Sequence, residues 1–162
     1  MPADTWPSED ASTRAGKLFV RRLSPSAPRI PTTSPLIVFD DVCVLCSGFV
    51  QWVIARDRER LFQFTSAQGP LGQALYRDLG LDPANFETNL VVVDGLAYGK
   101  LDAFIEVASR LGGPWRAMRA LRMLPAGLRN WMYDRIARNR YVLFGRRQTC
   151  WLPSPDVVGR VI

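Results

Sequence analysis

The chain has 162 residues, 48% of them hydrophobic, with three cysteines, no histidine and a formal net charge of +6. That length holds one folded domain, and no apolar run approaches the roughly 20 residues a membrane-spanning helix needs. Three cysteines are too few for a disulfide scaffold at this size, which suits a cytoplasmic protein with a reactive dithiol.

Residues 1–35 are rich in Pro, Ser and Thr and read as a flexible N-terminal tail. Leu18-Phe19-Val20 is too short for a signal-peptide core, and Asp4, Glu9 and Asp10 speak against a transit peptide. The folded domain is expected over residues 36–162. Leu36-Ile37-Val38-Phe39 is bulky, partly β-branched and short, the pattern of a buried strand. From Cys43 the spacing becomes helical, with Cys46, Phe49, Val50, Val53 and Ile54 at offsets of three and four. Arg56 to Arg60 are expected to form the solvated end of that helix.

Leu61–Thr65 is strand-like, with Phe62 and Phe64 on one face. Gly69-Pro70 opens a second helix over Leu71, Leu75 and Leu79, closed by Gly80. Asn89–Val93 and Leu96–Tyr98 flank Asp94-Gly95, a strong hairpin signal. Leu101, Phe104, Ile105, Ala108 and Leu111 trace a third helix, stopped by Gly112-Gly113-Pro114. Helical stretches Trp115–Leu124 and Pro125 to about Arg138 follow, then a loop to the C-terminus. The order β-α-β-α-β-β-α-α predicts an α/β fold, a small mixed four-stranded sheet flanked by helices.

Charge is unevenly placed. Residues 36–113 carry six basic and ten acidic groups, a balance of −4, while residues 114–147 carry nine arginines against Asp134 alone, a balance of +8. Such a segment can meet an acidic partner or a membrane surface; the plainer reading is a solvated helical face. Trp115, Trp131 and Tyr133 read as core and groove aromatics. No nucleic-acid partner is expected.

The chemistry centres on Cys43-Val44-Leu45-Cys46. A strand feeding C-x-x-C at a helix start gives the first cysteine backbone N–H groups and a positive dipole end, which favour its thiolate. The second, one turn on, can close a disulfide or resolve a mixed one. Cys43 is therefore the expected nucleophile and the more exposed sulfur, with Cys46 resolving and facing inward. Zinc sites use the same spacing, but without histidine and with only Cys150 besides, no four-ligand cysteine or cysteine–histidine site can be built within one chain. A metal site on Cys43, Cys46, Cys150 and Asp40 stays as the alternative. Asp40 can take or relay the proton of Cys46, or cap N–H groups around Val42 and Cys43. Asp41 is expected to be exposed. Cys150 is either a third redox thiol or a packing residue.

Asp40-Asp41-Val42-Cys43-Val44-Leu45-Cys46 resembles the D-x-x-C-x-x-C signature of the DCC family of thiol-disulfide oxidoreductases, a branch of the thioredoxin-like folds. Val92-Val93-Asp94-Gly95 is similar to that family's hairpin. Arg138-Asn139-Arg140-Tyr141 with Phe144-Gly145-Arg146 looks like its R-N-R-Y…F-G segment, and Cys150 falls where it often has a third cysteine. The family's usual glycine after the motif aspartate is Asp41 here. The resemblance implies a thioredoxin-like fold and protein-disulfide reductase chemistry with no cofactor. The substrate would be a disulfide-containing protein or small thiol, the electron donor unidentified. Where thioredoxins place a cis-proline facing the dithiol this chain has Thr88-Asn89, which with Val44 and Leu45 are the expected substrate-binding residues.

Overall fold

The computed structural model describes residues 20–31, 33–84, 89–145, 155 and 157–162, the side chains at 140 and 141 excepted. In chain order the strands are β1 (Val20–Arg22), β2 (Leu36–Phe39), β3 (Gln63–Ser66), β4 (Leu90–Val93) and β5 (Leu96–Gly99). The α-helices are α1 (Val44–Arg56), α2 (Pro70–Asp78), α3 (Lys100–Leu111) and α4 (Ala126–Phe144). A 3-10 segment, Gly113–Met123, joins α3 to α4, and a 3-10 turn spans Val158–Arg160.

The strands form one sheet in the order β1-β5-β4-β2-β3. β2 and β3 are parallel, joined by the α1 crossover, while β2–β4, β4–β5 and β1–β5 are antiparallel. Both faces of the sheet are covered. Ile37, Phe39, Val91 and Val93 pack with Val50 and Val53 of α1 and Val107 of α3. Their alternates Leu36, Val38, Leu90 and Val92 pack with Leu75, Tyr76 and Leu79 around α2. A strand buried on both faces must be apolar at every position, which is why β2 and β4 read as unbroken hydrophobic runs. Asp94 and Gly95 both take positive φ, 50° and 76°, the pair of left-handed residues a two-residue hairpin turn requires.

Among the described residues the sheet has five strands rather than the expected four. Val20–Arg22, assigned by composition to the tail, lies along the free edge of β5, pairing Val20 with Tyr98 and Arg22 with Leu96. The chain after it is also held: Arg21 Nη1 donates to Leu79 O, and Ser24 donates through its N and Oγ to the Asp78 carboxylate. Leu23 and Ile30 pack on the α2 side of the core. A three-residue strand carrying two arginines has no periodicity to betray it; an open sheet edge supplies the pairing.

Other expectations shift from the end of α1 onward. Asp57 is buried rather than solvated: it caps the end of α1, accepts from Leu61 N and Phe62 N (2.9 and 3.0 Å), and pairs with Arg160. The segment after α3 winds as 3-10 rather than α-helix. It is pinned by Trp115, edge-on to Trp52 at 4.9 Å, and by Arg122 on Glu106 at 2.7 Å. Helix α4 continues to Phe144 through the arginine-rich stretch, because Arg, Asn and Tyr there break the apolar pattern without breaking the backbone ladder. Trp131, expected among the core or groove aromatics, is 64% exposed.

Candidate active site

β2 and β3 run parallel and β4 antiparallel, so the C-terminal ends of the first two lie at the same sheet edge as the start of the third. The register pairs Phe39 with Ser66 and Val38 with Leu90. That edge gathers Asp40 and Cys43 after β2, Ser66 at the end of β3 with Gln68 just after it, and Asn89 before β4. An edge after parallel strand ends is where open α/β sheets place their sites.

Cys43 is the N-cap of α1, with extended backbone (φ −84°, ψ 122°), and its Sγ accepts from Cys46 N at 3.4 Å. The sulfur thus stands where Ser or Asp oxygens usually stand, on an orphan N–H at the positive end of the helix. No disulfide joins the two cysteines. Ser47, also buried, donates its Oγ to Cys43 O at 2.9 Å and fixes the first turn. The expectation that Cys43 is the more exposed sulfur is corrected, while Cys46 does face inward: both are buried, at 0% and 3% exposure. The cap explains it, since a side chain turned back over the first turn to reach Cys46 N cannot also point outward. Val44 and Leu45 are half-buried between the two sulfurs.

Asp40, 1% exposed, closes the loop ahead of the helix. Its Oδ1 accepts from Val42 N (3.1 Å) and Gln68 Nε2 (2.6 Å), and its carbonyl from Cys43 N (3.4 Å). The capping arrangement foreseen for this residue is present. Asp41 is only half-exposed: Ser66 Oγ lies 2.9 Å from its Oδ2, while its Oδ1 is buried without a hydrogen-bond partner among the described residues. Its φ is not positive, so the turn does not need the glycine found there in the family signature.

Sequence reasoning missed Ser66 and Gln68. Ser66 Oγ lies 2.9 Å from Gln68 Oε1 and accepts from Gln68 N at 3.1 Å, so the two link Asp40 to Asp41. Their loop is held by Gly72: a Cβ there would stand 2.2 Å from Ser66 O and 2.7 Å from Ala67 Cα. The usable signal was the parallel β2–α1–β3 crossover, which obliges the loop after β3 to lie beside the loop after β2.

The family model for DCC1-like thiol-disulfide oxidoreductase matches residues 37–146, both strand-end loops and both clustered cysteines included. The chain belongs to the DCC family. Relatives bear this out. The uncharacterized protein YuxK of Bacillus subtilis (strain 168) is 40% identical over 127 residues, 78% of this chain and 93% of that protein. A chloroplastic DCC family protein of Arabidopsis thaliana is 31% identical over 119 residues, 73% and 69% of the two chains. No solved structure gives a significant match. The fold of this DCC domain is the thioredoxin-like α/β arrangement, a mixed sheet flanked by helices.

Of the remaining site residues, Asn89 lies at the DCC domain's sheet edge, its N–H donating to Tyr133 Oη of α4 at 3.3 Å. Thr88, Cys150, Arg146 and Arg147 lie outside the described residues. Among the described residues no three His, Cys, Asp or Glu side chains are placed to hold a metal ion. The metal alternative depended on Cys150.

Proposed function

We propose that the chain is a protein-disulfide reductase working through Cys43 and Cys46. The Cys43 thiolate attacks a substrate disulfide; a Cys43–substrate S–S bond forms as the substrate's own breaks, and one substrate thiolate leaves. Cys46 then gives up its proton and attacks the Cys43 sulfur, forming the Cys43–Cys46 disulfide and releasing the second substrate thiol. The substrate gains two electrons, the protein loses two, and an external thiol donor restores the dithiol. The observation that carries this reading is the Cys46 N–H on Cys43 Sγ, because it stabilises charge on the one sulfur that must attack.

Asp40 serves as proton acceptor for Cys46 during resolution, a task no histidine in the chain can take. Its bonds to Val42 N and Gln68 hold the carboxyl in place for that step. Val44, Leu45 and Asn89 form the edge against which the substrate lies. The burial of Cys43 requires this edge to part as the substrate docks.

The test is trapping. Cys46→Ser should accumulate a mixed disulfide on Cys43 with glutathione or a model protein disulfide, and Cys43→Ser should accumulate none. Equal trapping by both variants, or by neither, would sink the assignment.

A further inference from the structure

Helix α4 turns Arg129 and Asn130 inward and most of its large apolar residues outward. Arg129 and Asn130 are buried, Arg129 Nη1 meeting Asp102 Oδ1 of α3 at 2.7 Å, and Asp134 pairs with Lys100 at 2.8 Å. At 3.6 residues per turn, Leu128, Trp131, Met132, Ile136 and Leu143 fall with Arg135 and Arg138 on one arc of roughly 160°. Every one of these seven is exposed. A helix bounded by water on its outer side carries the opposite distribution.

We propose that this outward arc docks on an anionic lipid surface, with Trp131, Met132 and Ile136 entering the headgroup boundary and Arg135 and Arg138 meeting lipid phosphates. Charge selects the occupant. The arc holds two arginines and no acid, since Asp134, the one acid of the helix, lies off it and is spoken for by Lys100. A second copy packed on the same face would set Arg135 and Arg138 against their own equivalents. Large apolar side chains around a tryptophan, with arginines among them, match the depth profile of an interface rather than the flat charge of an acidic protein. Tyr133, on the inner side of the same helix, touches Asn89 at the dithiol edge, so docking would set that edge across the helix from the bilayer, about 10 Å away.

Sedimentation of the full chain with vesicles tests this. An equimolar mixture of phosphatidylcholine and phosphatidylglycerol should carry the protein down at low salt, and pure phosphatidylcholine should carry little. Raising salt should release it. Arg135→Gln with Arg138→Gln should weaken binding about twenty-five-fold, at about five-fold per arginine. Trp131→Ser with Ile136→Ser should weaken it with the helical circular dichroism unchanged, since both side chains lie on the surface. No sedimentation with the anionic vesicles, or variants that bind like the parent chain, would overturn the proposal. So would vesicle-independent dimerisation that Trp131→Ser abolishes, or binding to polyglutamate in the absence of vesicle binding.

Discussion

Gln68 Nε2 donates to Asp40 Oδ1 at 2.6 Å, joining the loop after β3 to the loop that carries the dithiol. The same amide accepts at its Oε1, 2.9 Å from Ser66 Oγ and 3.4 Å from Asp41 N. One neutral side chain therefore serves two neighbouring aspartates, the carboxylate of Asp40 and the N–H of Asp41, without adding charge beside Cys43. Its oxygen supports Asp41's backbone while its nitrogen supports Asp40's side chain.

Gln68→Leu keeps the bulk but removes both functions, taking the shorter of two donors, Gln68 Nε2 and Val42 N, from a buried carboxyl oxygen. It should cost about 1–3 kcal/mol in urea unfolding. It should also slow the decay of the Cys43 mixed disulfide more than its formation, because Asp40 loses its orientation for the resolving step. Unchanged stability, or an equal slowing of both steps, would remove Gln68 from the site.

Gly72→Ala should destabilise the fold by about 2 kcal/mol or more, since overpacking a rigid neighbour forces backbone to move. The methyl group would stand 2.2 Å from a backbone oxygen, which no rotamer change relieves. Because the displaced backbone belongs to Ser66 and Ala67, alkylation of the buried cysteines should quicken in the same variant. A Gly72→Ala protein as stable as its parent would mean that α2 does not set the position of this loop.

Glu106 bridges Arg110 Nε and Arg122 Nη2 at 2.8 and 2.7 Å. Burial pushes its carboxyl up, but the two guanidinium partners outweigh that and hold it below its ordinary value of 4.5. A carboxyl with a lowered folded value contributes stability that is present above about pH 4.5 and is lost as pH falls through that lowered value. The contribution should be about 1 kcal/mol at neutral pH, kept small because both arginines are more than a third exposed. Glu106→Gln should show a lower urea midpoint at pH 7 and a shallower decline below pH 4.5 than the parent chain. Parallel pH profiles for the two proteins would deny the linkage.

Local chemistry was enough to place most elements. The Gly69-Pro70 start of α2, the Asp94-Gly95 hairpin and the unbroken runs of β2 and β4 follow from backbone preference and burial pattern. The C-x-x-C at the mouth of α1 follows from the change of period at Cys43. Each of these signals is carried by residues within one or two turns of one another, which is the range over which sequence spacing maps onto geometry.

What tertiary structure decided involves partners far apart in the chain. β1 exists because β5, some 75 residues later, offers an open edge. Asp57 looks solvated among charged neighbours until Arg160 and the N–H groups of Leu61 and Phe62 close over it. Gln68 reaches Asp40 because parallel pairing of β2 with β3 brings two loops to one edge. Arg129 is buried and Trp131 exposed because Asp102 of α3 compensates the buried charge, and no described residue covers the outer face of α4 at Trp131. The sequence by itself determined which residues could do chemistry and which elements carry them; pairing at a distance decided which are buried, which are bonded and which face outward, because burial and charge compensation depend on partners that no local pattern names.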